Sequence, residues 1–156
     1  MMMKREAVCP SCGADWSDGQ TCQDHFYTMG FWEMENPAFI PDAHHLMVLS
    51  YHLQHPELYS PEGLAGAIRM LDAFLMEGVS TQTMRREIRD AVDSGKRKHP
   101  ITAKGDRFGR YSQPVRWTMW AGDVTAAGMD SYVASVKTWA GSIHAALREA
   151  GAITTR

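Results

Sequence analysis

Long hydrophobic runs are missing from this sequence. The most apolar stretch, Leu46 to Leu53, is broken by Ser50 and His52, well short of the ~20 residues a membrane-spanning helix requires. No membrane anchor is expected. Cysteine is scarce and ends early, with all three residues (Cys9, Cys12, Cys22) inside the first 22 positions. An odd number gathered at one end argues against a disulfide framework and for a metal site in a reducing compartment. The chain runs from Met1-Met2-Met3-Lys4-Arg5-Glu6 into those cysteines without an apolar signal segment, so the expected location is the cytoplasm. Catalytic signatures are absent too: no Gly-x-Ser-x-Gly elbow, no phosphate-cradling glycine loop, no His-Glu-x-x-His, and no cysteine beyond Cys22 to serve as a nucleophile. Whether the protein is an enzyme is therefore left open.

Positive charge is missing from the N-terminal part. Residues 6 to 62 carry nine acids and no Lys or Arg, whereas residues 94 to 122 carry seven basic residues against Asp106 alone. The basic segment can pack against the acidic half of the same molecule, or it can form an anion or nucleic-acid patch.

What is present points to helices. At 156 residues and 44% hydrophobic, the chain suits one domain, 1–156, with a real core. Thr21, with Asp24 three residues on, approximates a capping box for a first helix that Asn36-Pro37 ends. A second helix is predicted from about Asp42 to about His55, where Pro56 disfavours the helical conformation of the residue before it. Ser60-Pro61-Glu62 starts a third, carrying Leu64, Ile68, Leu71 and Leu75 at helical spacing and stopped by Gly78. Ser80 caps a fourth that Gly95 ends. Residues 96–122 hold Gly105, Gly109, Gly122, Pro100 and Pro114 with no steady period; they read as a long basic connection with room for one short strand pair. The segment 123–156 contributes a last helix, from about Met129 to Ala150. The expected architecture is all-α: a bundle of about five helices, four of them within 22–95, with a zinc knuckle at residues 1–25 and a long irregular connection before the last helix. So long a connection is unusual in a compact domain, and marks either a functional segment or a missed element.

Cys9-Pro10-Ser11-Cys12-Gly13 has the form of a zinc knuckle, two thiolates in a tight turn. Zinc takes four ligands at tetrahedral positions, and Cys22 supplies a third thiolate. The fourth ligand is open at this point. Spacing favours His25, three residues after Cys22. An antiparallel pair of first and second helices instead brings Cys22 towards His52 and His55, with His44 and His45 at the far end. His44 lies eleven residues before His55, ~16 Å along a helix, too far to share one ion. It is a candidate polar member of a pocket with Tyr51 and His144.

The segments Cys9-Pro10-Ser11-Cys12-Gly13-Ala14, Asp18-Gly19-Gln20-Thr21-Cys22, His44-His45-Leu46, Tyr51-His52-Leu53-Gln54-His55-Pro56, Leu58-Tyr59-Ser60-Pro61-Glu62 and Val136-Lys137-Thr138-Trp139-Ala140 together resemble a bacterial family of uncharacterised proteins of about this length. The likeness spans most of the chain, and the family has no established activity. The resemblance implies metal ligation at Cys22 and gives weight to His55 over His25. The expected ligand set is then Cys9, Cys12, Cys22 and His55, with zinc as the cofactor. Three functions are weighed. The first is a structural zinc protein whose bundle serves an interaction or small-molecule-binding role. The second is a zinc-dependent hydrolase or transferase, disfavoured because three thiolates make zinc-bound water a poor acid. The third is a nucleic-acid-binding module using 96–116, where Phe108, Tyr111 and Trp117 interleave with basic residues. Partners and oligomeric state are not readable from the sequence.

Overall fold

The computed structural model describes residues 7–78 and 102–153, together with Ser80, Gln82, Thr83 and Arg86. Five α-helices lie among the described residues, with no strand: α1 (Cys22–Glu35), α2 (Ile40–Leu53), α3 (Pro61–Glu77), α4 (Ala121–Ala127) and α5 (Tyr132–Glu149). The all-α reading holds.

Local chemistry sets the boundaries. Thr21 Oγ1 accepts the Asp24 N–H at 3.1 Å while Asp24 Oδ2 accepts the Thr21 N–H at 2.9 Å, a reciprocal capping box at the start of α1. A single 3-10 turn, Pro37–Phe39, joins α1 to α2, so the two helices form the expected hairpin. α2 begins at Ile40, two residues earlier than the sequence suggested, because Pro41 sits in the first turn, where its missing N–H costs nothing. Ser60 caps α3 through the Gly63 N–H at 2.9 Å, and Gly78 closes it in the left-handed conformation, φ +70°. Ser80 accepts the Thr83 N–H at 3.0 Å, but the body of the helix expected up to Gly95 lies outside the described residues.

The basic connection needs correction. A helix occupies Ala121–Ala127, where the sequence reading had the connection run to 122 and the last helix begin near Met129. α4 is only seven residues long and rich in Ala, Gly and Thr, so it has little periodicity to detect. Its start is fixed by Asp123, whose carboxylate accepts the Trp120 N–H at 2.9 Å. In place of a strand pair, residues 102–120 show only single bridges, Tyr59 with Thr102 and Lys104 with Arg107.

α5 packs across α2, and Tyr132, Val136, Trp139, Ile143 and Leu147 bury their side chains against Leu46, Met47 and Leu53 of α2, Leu71 of α3 and Met29 of α1. Two polar groups are built into this core. Gln54 donates to the Met119 carbonyl at 2.7 Å and accepts Trp139 Nε1–H at 3.3 Å. Glu33 of α1 accepts His44 Nδ1–H of α2 at 2.7 Å and the Tyr132 hydroxyl of α5 at 2.6 Å. Both carboxylate oxygens are thus satisfied, which offsets the cost of burying the group.

Candidate metal centre

A tight hairpin forms the first arm of the site. Cys9 N–H donates to the Ala14 carbonyl at 2.9 Å, and Gly13 N–H to the Cys9 carbonyl at 3.0 Å. The turn requires φ +79° at Gly13, a conformation that glycine adopts without steric cost. Cys12 N–H points at Cys9 Sγ, 3.5 Å away. The second arm is Cys22, the first residue of α1. The third is His55, just past the end of α2 and carried there by the helix hairpin.

These arms meet. The ligand atoms of Cys9, Cys12, Cys22 and His55 all lie within 4.8 Å of one another, and all four residues are buried. Cys9 Sγ stands 3.6 Å from His55 Nε2, and Cys12 Sγ 3.5 Å from Cys22 Sγ. His55 Nδ1–H donates to the Tyr51 carbonyl at 2.6 Å. That bond selects the tautomer whose Nε2 lone pair faces the three sulfurs, the arrangement found around metal-bound imidazoles. Three thiolates and an imidazole form a soft, four-coordinate donor set, so the cluster could hold a metal ion.

The electrostatics without an ion are unequal. Cys22 is held down at about 4, chiefly because its sulfur accepts a hydrogen bond from Cys12, helped by His55 and Trp16 Nε1–H and opposed by burial. Cys12 is pushed up by that same interaction and by burial, and Cys9 is pushed up by burial. Neighbouring thiolates repel one another, and a dication removes that penalty as it displaces the protons.

The other histidines have different surroundings. His25, the candidate favoured by spacing, is buried against α4: its Nδ1 is hydrogen-bonded with Thr125 Oγ1 at 2.9 Å, and a Cβ on Gly122 would come within 3.1 Å of its Nε2. His52 donates through Nδ1 to the Val48 carbonyl at 2.8 Å, with its ring beside Phe26 and Tyr59. The three residues of the expected pocket are engaged in three places. His44 is bonded to Glu33. Tyr51 stacks on Phe26 and lies against His55. His144 Nε2–H donates to Asp72 Oδ1 of α3 at 2.8 Å.

Supporting residues escaped the sequence reading. Trp16 Nε1–H donates to Cys22 Sγ at 3.4 Å, and its only signal was being the aromatic residue between two cysteines. Trp120 Nε1–H donates to the Cys12 carbonyl at 3.0 Å from far along the chain, with no local signal. Ser11 Oγ–H contacts the Gln54 carbonyl at 3.3 Å and Glu57 Oε2 at 2.8 Å, a further tie between knuckle and helix hairpin. Beside these contacts opens a cleft of about 350 Å³ between Ser11, Gln54 and Pro56 on one side and Tyr111 and Trp117 on the other.

Comparison with known proteins found no match among curated proteins and none among solved structures. A family of unknown function, DUF5946, matches residues 7–148. That span takes in the whole candidate metal centre and every described helix except the last residue of α5. The chain belongs to DUF5946.

Proposed function

We propose that Cys9, Cys12, Cys22 and His55 bind one zinc ion and that the ion is structural. The observation that carries this reading is the convergence of four buried ligand atoms, within 4.8 Å, from a hairpin, a helix start and a helix end. A closed Cys3His site leaves zinc no open position for water, and three thiolates weaken it as a Lewis acid. The ion then contributes folding energy by joining the N-terminal knuckle to the end of α2. The bundle it stabilises serves binding, and the cleft beside Ser11, Gln54 and Pro56 is the small-molecule site this reading favours. Reduced cysteines of this kind suit the cytoplasm.

The two alternatives have less support. A hydrolase or transferase would need an open coordination position, and the donor set supplies four ligands. A nucleic-acid module would need exposed aromatic platforms. The Tyr111 hydroxyl instead donates to the Leu53 carbonyl, Trp117 packs edge-on to Tyr111, and Arg107 pairs with Glu62.

The test is metal content and melting temperature for the wild type and the His55→Ala, His25→Ala and His44→Ala variants. Expected is about one zinc per chain in the wild type, His25→Ala and His44→Ala, and loss of zinc with a lower melting temperature in His55→Ala. A strong chelator should lower the wild-type melting temperature in the same way. Full zinc in His55→Ala, or chelation without any change in melting, would overturn the reading.

A further inference from the structure

The outer side of α1 is apolar. Tyr27, Phe31 and Met34 recur at i, i+4 and i+7 and so share one helix face; they are 62%, 58% and 78% exposed. Gly30 lies on the same face, with open space where a side chain would project, so the stripe contains a shallow dip. Isolated exposed hydrophobic residues are ordinary, but large ones on successive turns of one helix form a contiguous patch. Asn36 at the end of α1 donates to Met129 Sδ at 3.2 Å, which sets the turn after α4 beside that end of the helix, and Met129 is itself 37% exposed.

One of its borders is acidic. Helical geometry sets Asp24 and Glu35 along the edge of the stripe next to Phe31, and both are exposed. That edge is on the α4 side of α1, and there Asp123 and Asp130 are exposed as well. No Lys or Arg occurs in residues 6–62 or 117–136, the segments that supply α1, α4 and the turn after it. An apolar stripe edged on one side by carboxylates, with no cation from its own elements, matches a partner helix that is apolar on one side and positive along the adjoining flank.

We infer that the outer face of α1, together with the Met129 turn, docks a basic amphipathic helix of a partner protein. The helix would lay its apolar side over Tyr27, Phe31 and Met34 and set Lys or Arg against Asp24, Glu35 and Asp130. A second copy of this chain fits poorly, because the same face of a copy has no Lys or Arg to meet those carboxylates. Anionic lipid and nucleic acid are disfavoured by the same charges. The surface is separate from the metal centre and does not depend on what that centre binds.

The experiment uses the full, metal-loaded chain and two fluorescently labelled peptides, an amphipathic Leu/Lys helix and its Leu/Glu counterpart, followed by anisotropy at low and high salt. The Leu/Lys helix should bind, and more weakly as salt rises. Phe31→Ala and Met34→Ala should each weaken that binding about tenfold, as for central residues of a helix-docking patch, while Glu35→Gln should flatten the salt dependence. Unchanged circular dichroism melts and zinc content in these exposed-site variants establish that the fold is intact. Any of four results overturns the inference: no binding of the Leu/Lys helix, equal binding of the Leu/Glu helix, affinity unchanged in Phe31→Ala, or a concentration-dependent dimer in sedimentation that Phe31→Ala abolishes.

Discussion

At the scale of single residues, the geometry of the candidate centre depends on side chains that aim the ligands as much as on the ligands themselves. The Tyr51 carbonyl fixes the His55 tautomer, and Trp16 Nε1–H steadies the Cys22 sulfur. Supporting groups of this type change metal affinity by roughly 10–100-fold when removed. Trp16→Phe keeps an aromatic ring and removes the donor, so affinity for the proposed zinc should fall about tenfold, read by competition with a chromophoric chelator; wild-type affinity would reduce the Trp16 contact to packing. The four residues of the candidate centre were themselves unevenly legible. Cys9 and Cys12 announce themselves because two thiolates in one turn is a local pattern. His55 competes with His25, since the choice between them depends on how two helices fold back, a distance that linear spacing does not encode.

Among the elements, two joints deserve a mutation because each connects pieces that sequence distance separates. Gly109 N–H donates to the Tyr59 carbonyl at 2.7 Å, and a Cβ there would lie 2.8 Å from the Pro56 carbonyl oxygen and 3.0 Å from Leu64 Cδ2. Gly109→Ala must push the connection away from the turn that follows His55. The expected cost is about 1–3 kcal/mol, visible in denaturant unfolding, with faster loss of the proposed zinc to a chelator. Glu33 is the second joint, uniting α1, α2 and α5. Glu33→Ala leaves the buried Tyr132 hydroxyl without its acceptor and should destabilise by about 1–3 kcal/mol while leaving the metal content at the wild-type level. A loss of metal in that variant would mean that the two sites are coupled through α1. Neither joint was visible beforehand. Gly109 reads as one more glycine in an irregular stretch, and Glu33 as one more acid on a surface helix, because a helical pattern gives the spacing of residues and not the partner that arrives from another element.

For the whole molecule, buried tyrosines link stability to pH. Burial holds the Tyr59 hydroxyl protonated up to about 12, against ~10 in an unfolded chain. Burial pushes Tyr111 and Tyr132 up as well, with Glu33 adding to the effect at Tyr132. A raised folded-state value means that the stabilising contribution is complete below the unfolded value and is lost as pH rises towards the folded one. The metal-loaded protein should therefore hold its melting temperature up to about pH 10 and lose it between there and about 12, with the phenolate absorbance of the buried tyrosines rising alongside unfolding; ionisation of Tyr59, Tyr111 or Tyr132 near 10 in the folded protein, followed in single Tyr→Phe variants, would contradict this burial. At the same scale, the sequence by itself determined the helical class, the capped starts at Thr21 and Ser60, the stop at Gly78 and the thiolate pair, because each is fixed by interactions within a few residues. Only the tertiary structure decided that His55 meets the three cysteines, that α4 exists, and that Tyr111 and Trp117 are half-buried against the core at the wall of the cleft. Those outcomes depend on hydrophobic burial and hydrogen bonds between segments distant in the chain, and such contacts have free energies that no local pattern records.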